Sequence, residues 1–91
     1  MSASLLSNEK ECYLCMRRTG LERHHVMEGP NRKLSEKYGL WVYLCHDCHT
    51  GREGAQYDPD KSLRLKREAQ REFEKIHGHE MWMNEFMKNY L

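Results

Sequence analysis

The pattern of apolar positions changes character near residue 58. Before it, short β-favouring stretches stand between turn signals. Residues 21–26 read as a first strand, and the compact apolar run Leu-Trp-Val-Tyr-Leu at 40–44 reads as a second. Between them Glu28-Gly-Pro-Asn31 is a turn or loop. A short helix opens near Asp47, with Gly51 and Gly54 limiting its length. Beyond it the period becomes helical. Asp58-Pro59 supplies an N-cap and a first helical residue, and Leu65, Ala69, Phe73 and Ile76 follow at spacings of four, four and three. This predicts an amphipathic helix over about 60–77 that stops at Gly78. Met83, Phe86, Met87 and Tyr90 share one face of a last helix, with Trp82 adjacent, and read as core or as dimer contact.

Strands followed by helices predict an α+β chain. At 91 residues there is material for one domain only, because a chain this short buries roughly 60% of the surface its unfolded form exposes. Residues 1–10 are polar, lack periodicity and are expected to be a frayed, flexible N-terminus. The single domain then spans 11–91, with a core unit at about 12–58 and a helical segment at about 59–91.

Composition adds a constraint. Hydrophobic residues make up 38% and charged residues 32%, and the mean hydropathy is −0.97, so apolar burial alone leaves the fold marginal and a staple is expected. The four cysteines form two C-x-x-C pairs, Cys12-Tyr-Leu-Cys15 and Cys45-His-Asp-Cys48. The N-terminus lacks a basic start followed by an apolar stretch, and no run approaches membrane-spanning length, which predicts a cytoplasmic protein. In a reducing compartment two close pairs point to a structural zinc bound by four thiolates rather than to disulfides. Four ordinary buried cysteines are the plainer alternative. A redox pair fits less well, since neither motif opens a helix after a thioredoxin-like strand.

Net charge is +1 with a pI near 7.7, too little basic excess to mark a nucleic-acid binder by charge alone. Basic residues cluster before the second cysteine pair (Arg17, Arg18, Arg23, Arg32, Lys33, Lys37) and after it (Lys61, Arg64, Lys66, Arg67, Arg71). Such runs are commonly solvated faces and serve only as support.

The histidines carry the candidate chemistry. His24-His25 ends the first predicted strand, and His49 follows Cys48 at the start of a predicted helix. Adjacent strand residues point to opposite sides, so one histidine can face a metal while its neighbour reaches a water. Phosphodiester cleavage needs both a metal to stabilise charge and a base. His46 sits between cysteine ligands and reads as incidental, and His77 and His79 read as capping or surface residues.

C-x-x-C, then His-His, then C-x-x-C-His in this order resembles the HNH (ββα-metal, His-Me finger) endonuclease superfamily, over residue 12 to about 58. The tail, with its Lys-Arg-Glu-Ala-Gln and Gly-His-Glu stretches, is similar to small HNH-like proteins of phages and prophages of Gram-positive bacteria. A more distant likeness is to RecA-dependent phage recombination nucleases. The resemblance implies a zinc-stapled ββα-metal fold in a bacterial host cell, DNA as partner, and metal-dependent phosphodiester hydrolysis. It implies that His24 and His49 bind a catalytic divalent metal (Mg²⁺, Mn²⁺, Ni²⁺ or Zn²⁺) and that His25 is the general base. The family's Asn before the second strand is missing, since Gly39-Leu40 occupies that region, and Asn31, six residues beyond His25, is the nearby substitute. The further His or Asn ligand after His49 is also missing. Glu53, at i+4 from His49, takes that place in the expected ligand set, with Gln56 or Asp58 as other reaches. Arg32 and Lys33 would hold the phosphate backbone, and a double-strand break would need a homodimer or repeated nicking.

Two other readings stay open. A catalytically degenerate HNH fold would keep its zinc and bind a protein or nucleic acid, for example as a phage inhibitor of a host defence enzyme. A plain zinc ribbon would leave the histidines without a special task.

Overall fold

Leu21–His25 (β1) and Trp41–Cys45 (β2) pair antiparallel, with Leu21 opposite Cys45, Arg23 opposite Tyr43 and His25 opposite Trp41. Val26 extends the ladder by donating its N–H to Leu40 O at 3.0 Å. The computed structural model describes residues 3–51, 54–55 and 57–91. Among these the chain is an α+β assembly of a two-stranded sheet and four helices.

The connection between the strands departs from the expected loop. A 3-10 turn over Gly29–Asn31 runs into a two-turn helix, α1, at Arg32–Tyr38. Arg32 and Lys33, expected on a loop, therefore stand in the first turn of a helix. Ser35 explains why so short a helix holds. It is fully buried, donates its hydroxyl to Met27 O at 2.8 Å and accepts the Met27 N–H at 3.0 Å, tying α1 to the chain leaving β1. Gly39 ends the helix at φ +71°, and a Cβ there would stand 2.1 Å from Ala3 O. Only glycine satisfies both conditions. The segment crossing this glycine is the N-terminal stretch expected to be frayed. Leu5 donates its N–H to Gly39 O at 2.8 Å, Ser4 Oγ bonds Trp41 O, and Leu5 and Leu6 pack against the core.

After β2 the chain makes one helical turn, α2, at His46–His49. The expected boundary at residue 58 is present: Asp58 accepts the N–H groups of Asp60 and Lys61, Pro59 opens α3 at Pro59–His77, and Gly78 ends it. The last helix, α4, covers His79–Phe86. It turns back against α3, so that Phe73 meets Trp82 and Phe86 edge-on at centroid distances of 5.4 and 5.8 Å, while Tyr38 of α1 reaches Phe73 at 5.1 Å. Leu40, Val42 and Leu44 complete this core with Leu65 and Ala69. Each fully buried side chain of this kind stabilises the fold by roughly 1.5–3 kcal/mol.

Two expectations for this half are corrected. Ile76 is 61% exposed, because α4 covers the side of α3 that carries Phe73. Gln70 is the buried residue instead, donating to Glu74 Oε2 and Asn89 Oδ1 and accepting the Tyr90 N–H at 2.7 Å. Met87 does not share the buried face of the last helix. It is the left-handed residue that ends α4, 80% exposed, whereas Trp82 and Phe86 are buried. No helix among the described residues is long and apolar enough to cross a membrane.

Candidate metal cage and histidine cavity

The two C-x-x-C pairs meet. Cys12 and Cys15 lie on a turn before β1, Cys45 is the last residue of β2, and Cys48 sits in α2. The turn is held by Tyr13 N–H to Tyr43 O at 2.8 Å, by Cys12 N–H to Arg17 O at 2.7 Å, and by Cys15 N–H to Cys12 Sγ at 3.5 Å. All four sulfurs lie within 4.8 Å of one another, with Cys15 and Cys45 at 3.6 Å, and none forms a disulfide. A tetrahedral site with metal–sulfur bonds of about 2.3 Å needs sulfur–sulfur edges of about 3.8 Å, so the cluster fits a metal ion and its donor set is consistent with zinc. The electrostatics agree. Burial opposes a thiolate at Cys12, but backbone N–H groups of Cys45, Cys15 and Leu14 outweigh it and hold the thiol down to about 6. Burial and the neighbouring thiols push Cys48 well above the ordinary thiol range. Four thiols this close cannot all ionise without a cation among them.

The cage places α2 beside β1 and thereby sets His49 against His24, with ring centroids 5.1 Å apart at 69°. His24 is 4% exposed, and no hydrogen bond from the described residues engages its ring. Burial, followed by the nearby His49, His25 and Lys66, pushes its pKa down to about 4, so the imidazole is neutral with a lone pair to offer. His49 donates Nδ1–H to Glu22 Oε1 at 2.9 Å, which leaves Nε2 without a hydrogen-bond partner among the described residues. Glu22 also meets His46 Nδ1 at 3.4 Å, and these hydrogen bonds, that from His49 first, lower its carboxyl pKa.

His25, next on β1, turns towards α1. Its Nε2 stands 2.7 Å from Glu36 Oε1, and Arg23 Nη1 contacts both oxygens of that carboxylate at 3.1 and 3.3 Å. The hydrogen bond to His25 holds Glu36 below the usual carboxylate range. Arg23 itself stacks over the Trp41 ring at 3.9 Å. A single cavity of about 300 Å³ opens over this ground, lined by His24, His25 and His49 with Arg23, Arg32, Glu28 and Gly29. Strand alternation separates His24 from His25, yet both line this cavity.

Of the residues expected at the site, His24, His25, His49 and Arg32 line the cavity together. Asn31 and Lys33 do not line it, and Asp58 is spent capping α3. Glu53 and Gln56 lie outside the described residues. Among the described residues no third ligand joins His24 and His49 closely enough to complete a metal cluster. Three residues were not read from the sequence. Glu22 stands two before His24 and shares its strand face, a signal available in advance. Glu36 joins the site only through α1, which local pattern did not reveal, and Arg23, read only as part of a basic cluster, lies two before His25 on its strand face. His77 packs against Tyr38 and Phe73, and His79 bonds Glu74 at 2.9 Å.

No family model, no curated protein and no solved structure matches this chain.

Proposed function

We propose that the chain is an HNH-type endonuclease that hydrolyses phosphodiester bonds of DNA with a divalent metal, its fold stapled by zinc in the four-cysteine cage. The observation that carries the reading is the single cavity on which a buried neutral His24, a carboxylate-ordered His49 and His25 converge beside Arg23 and Arg32. Two imidazoles with uncommitted nitrogens are a donor set that suits a divalent cation. His24 and His49 would hold that cation, and a divalent metal there would supply charge neutralisation for the phosphodiester. His25 takes a proton from water, whose oxygen forms a bond to phosphorus as the bond to the 3′-oxygen breaks. Arg32 steadies the backbone phosphate by a contact that is independent of sequence and weakens with salt. Small phage and prophage proteins of this kind act inside a bacterial host cell, which supplies the DNA.

The second reading is a degenerate HNH fold that binds a protein or nucleic acid without cutting it. It is favoured by the two-histidine ligand set, which the described residues do not extend. Nicking of supercoiled plasmid separates the two. Wild type and His25→Ala are stripped at the weaker site and given Mg²⁺, Mn²⁺, Ni²⁺ or Zn²⁺. Metal-dependent nicking that falls by roughly 100-fold or more in the folded variant supports the nuclease. A folded, zinc-loaded wild type that fails to nick whichever of these metals is supplied supports the binding module.

A further inference from the structure

The missing asparagine leaves the orientation of the base without a residue, and Asn31 does not line the cavity that would need it. The geometry around His25 supplies another. Its Nε2 is committed to Glu36 Oε1 at 2.7 Å, and the carboxylate is held in turn by Arg23, which lies two residues back on the same strand face and is itself stacked on Trp41. The four groups come from β1, α1 and β2, so the arrangement is fixed by the packing of three elements. A ring nitrogen that donates to a carboxylate carries the proton, and the lone pair is then on the other nitrogen.

We propose that Glu36 is the positioning residue of His25: it holds the ring in the Nε2–H tautomer, so that Nδ1 is the nitrogen that takes the proton from water. The proposal rests on the nuclease reading and gives that site's base its orienting partner. In the step, Nδ1 gains the proton as the water oxygen bonds phosphorus and the 3′-oxygen departs to be protonated by solvent. Nε2–H stays on the ring, and Glu36 remains ionised facing the imidazolium that forms. Arg23 keeps the carboxylate from turning away.

The test uses the full-length, zinc-loaded protein labelled with ¹⁵N. Long-range ¹H–¹⁵N correlations report the His25 tautomer in wild type, Glu36→Gln and Glu36→Ala, and plasmid nicking gives kcat and KM for each. The expected result is the Nε2–H tautomer in wild type and in Glu36→Gln, whose amide oxygen still accepts that proton, and a mixed tautomer in Glu36→Ala. Alongside it, kcat falls about 10–100-fold in Glu36→Ala with KM little changed, and Glu36→Gln recovers much of the loss, a range typical of partners that orient a functional histidine. An Nδ1–H tautomer in wild type overturns the proposal even if neither variant folds. So does a tautomer indifferent to Glu36 in an enzyme that cuts. A wild type that fails to cut whichever metal is supplied, yet whose His25 tautomer depends on Glu36 as described, overturns the nuclease reading while supporting Glu36 as the group that sets the ring.

Discussion

The two halves of the molecule are held together by different forces. Around β1, β2 and α2 the pieces are short, and the buried groups include Cys12, Cys45, His24 and Ser35 beside the aliphatic residues. In α3 and α4 the buried groups are Phe73, Trp82, Phe86, Leu65 and Ala69, with Gln70 the polar exception. The first half is organised by ligands meeting at a point, the second by apolar area removed from water. The difference explains where chemistry is found. A region that draws four sulfurs to one point can keep three histidines around one cavity, with Glu36 and Glu22 bonded to two of them, because its cohesion does not depend on filling that space with hydrocarbon. The aromatic half has no such latitude, and its histidines serve packing and helix ends.

The comparison breaks most completely if the cage is opened. With zinc in the four-cysteine cage, chelation or Cys45→Ser should unfold the chain, since structural zinc in small domains contributes on the order of 10–16 kcal/mol, as much as the whole stability of a typical domain. Near-ultraviolet dichroism and NMR dispersion should collapse and return on adding zinc to the chelated wild type. Native dispersion at full chelation would show that the apolar half carries the fold alone.

Phe73→Ala tests the other half. Phe73 touches Tyr38, Trp82 and Phe86 and is fully buried, so truncation should cost roughly 3–5 kcal/mol in urea unfolding. The zinc content of the folded fraction should not change. A loss under about 1 kcal/mol would mean that the aromatic cluster is incidental.

Gly39→Ala probes the seam where the N-terminal strap crosses the end of α1. Left-handed backbone and the close approach of Ala3 O should together cost about 1–3 kcal/mol and raise amide exchange at Leu5. The smallest effect belongs to Ile76→Lys, within about 0.5 kcal/mol, because that residue is uncovered. A cost near that of Phe73→Ala would restore the stripe expected from its spacing.

Much of this was legible in local pattern. The cysteine spacing, the two strands, the N-cap at Asp58 and the stop at Gly78 are each written within a few residues, and each has its counterpart in the structure. The adjacent histidines were visible as a pair, and Glu22 could have been read from the strand period. Ile76 shows where the pattern runs out. A helix carries an apolar stripe to its end, but what covers the stripe depends on where the next helix returns.

The sequence by itself determined that this is a small α+β chain with two hooks for a metal and a histidine pair at a strand end, because those features follow from spacing along one segment. Tertiary structure alone decided that residues 32–38 are helical, that Gln70 is buried while Ile76 is not, and that Glu36 reaches both His25 and Arg23. Seven residues with one serine anchoring them cannot sustain a helix in isolation. Their conformation, and the carboxylate they deliver to the site, exist only because β1, β2 and the N-terminal strap are already packed around them.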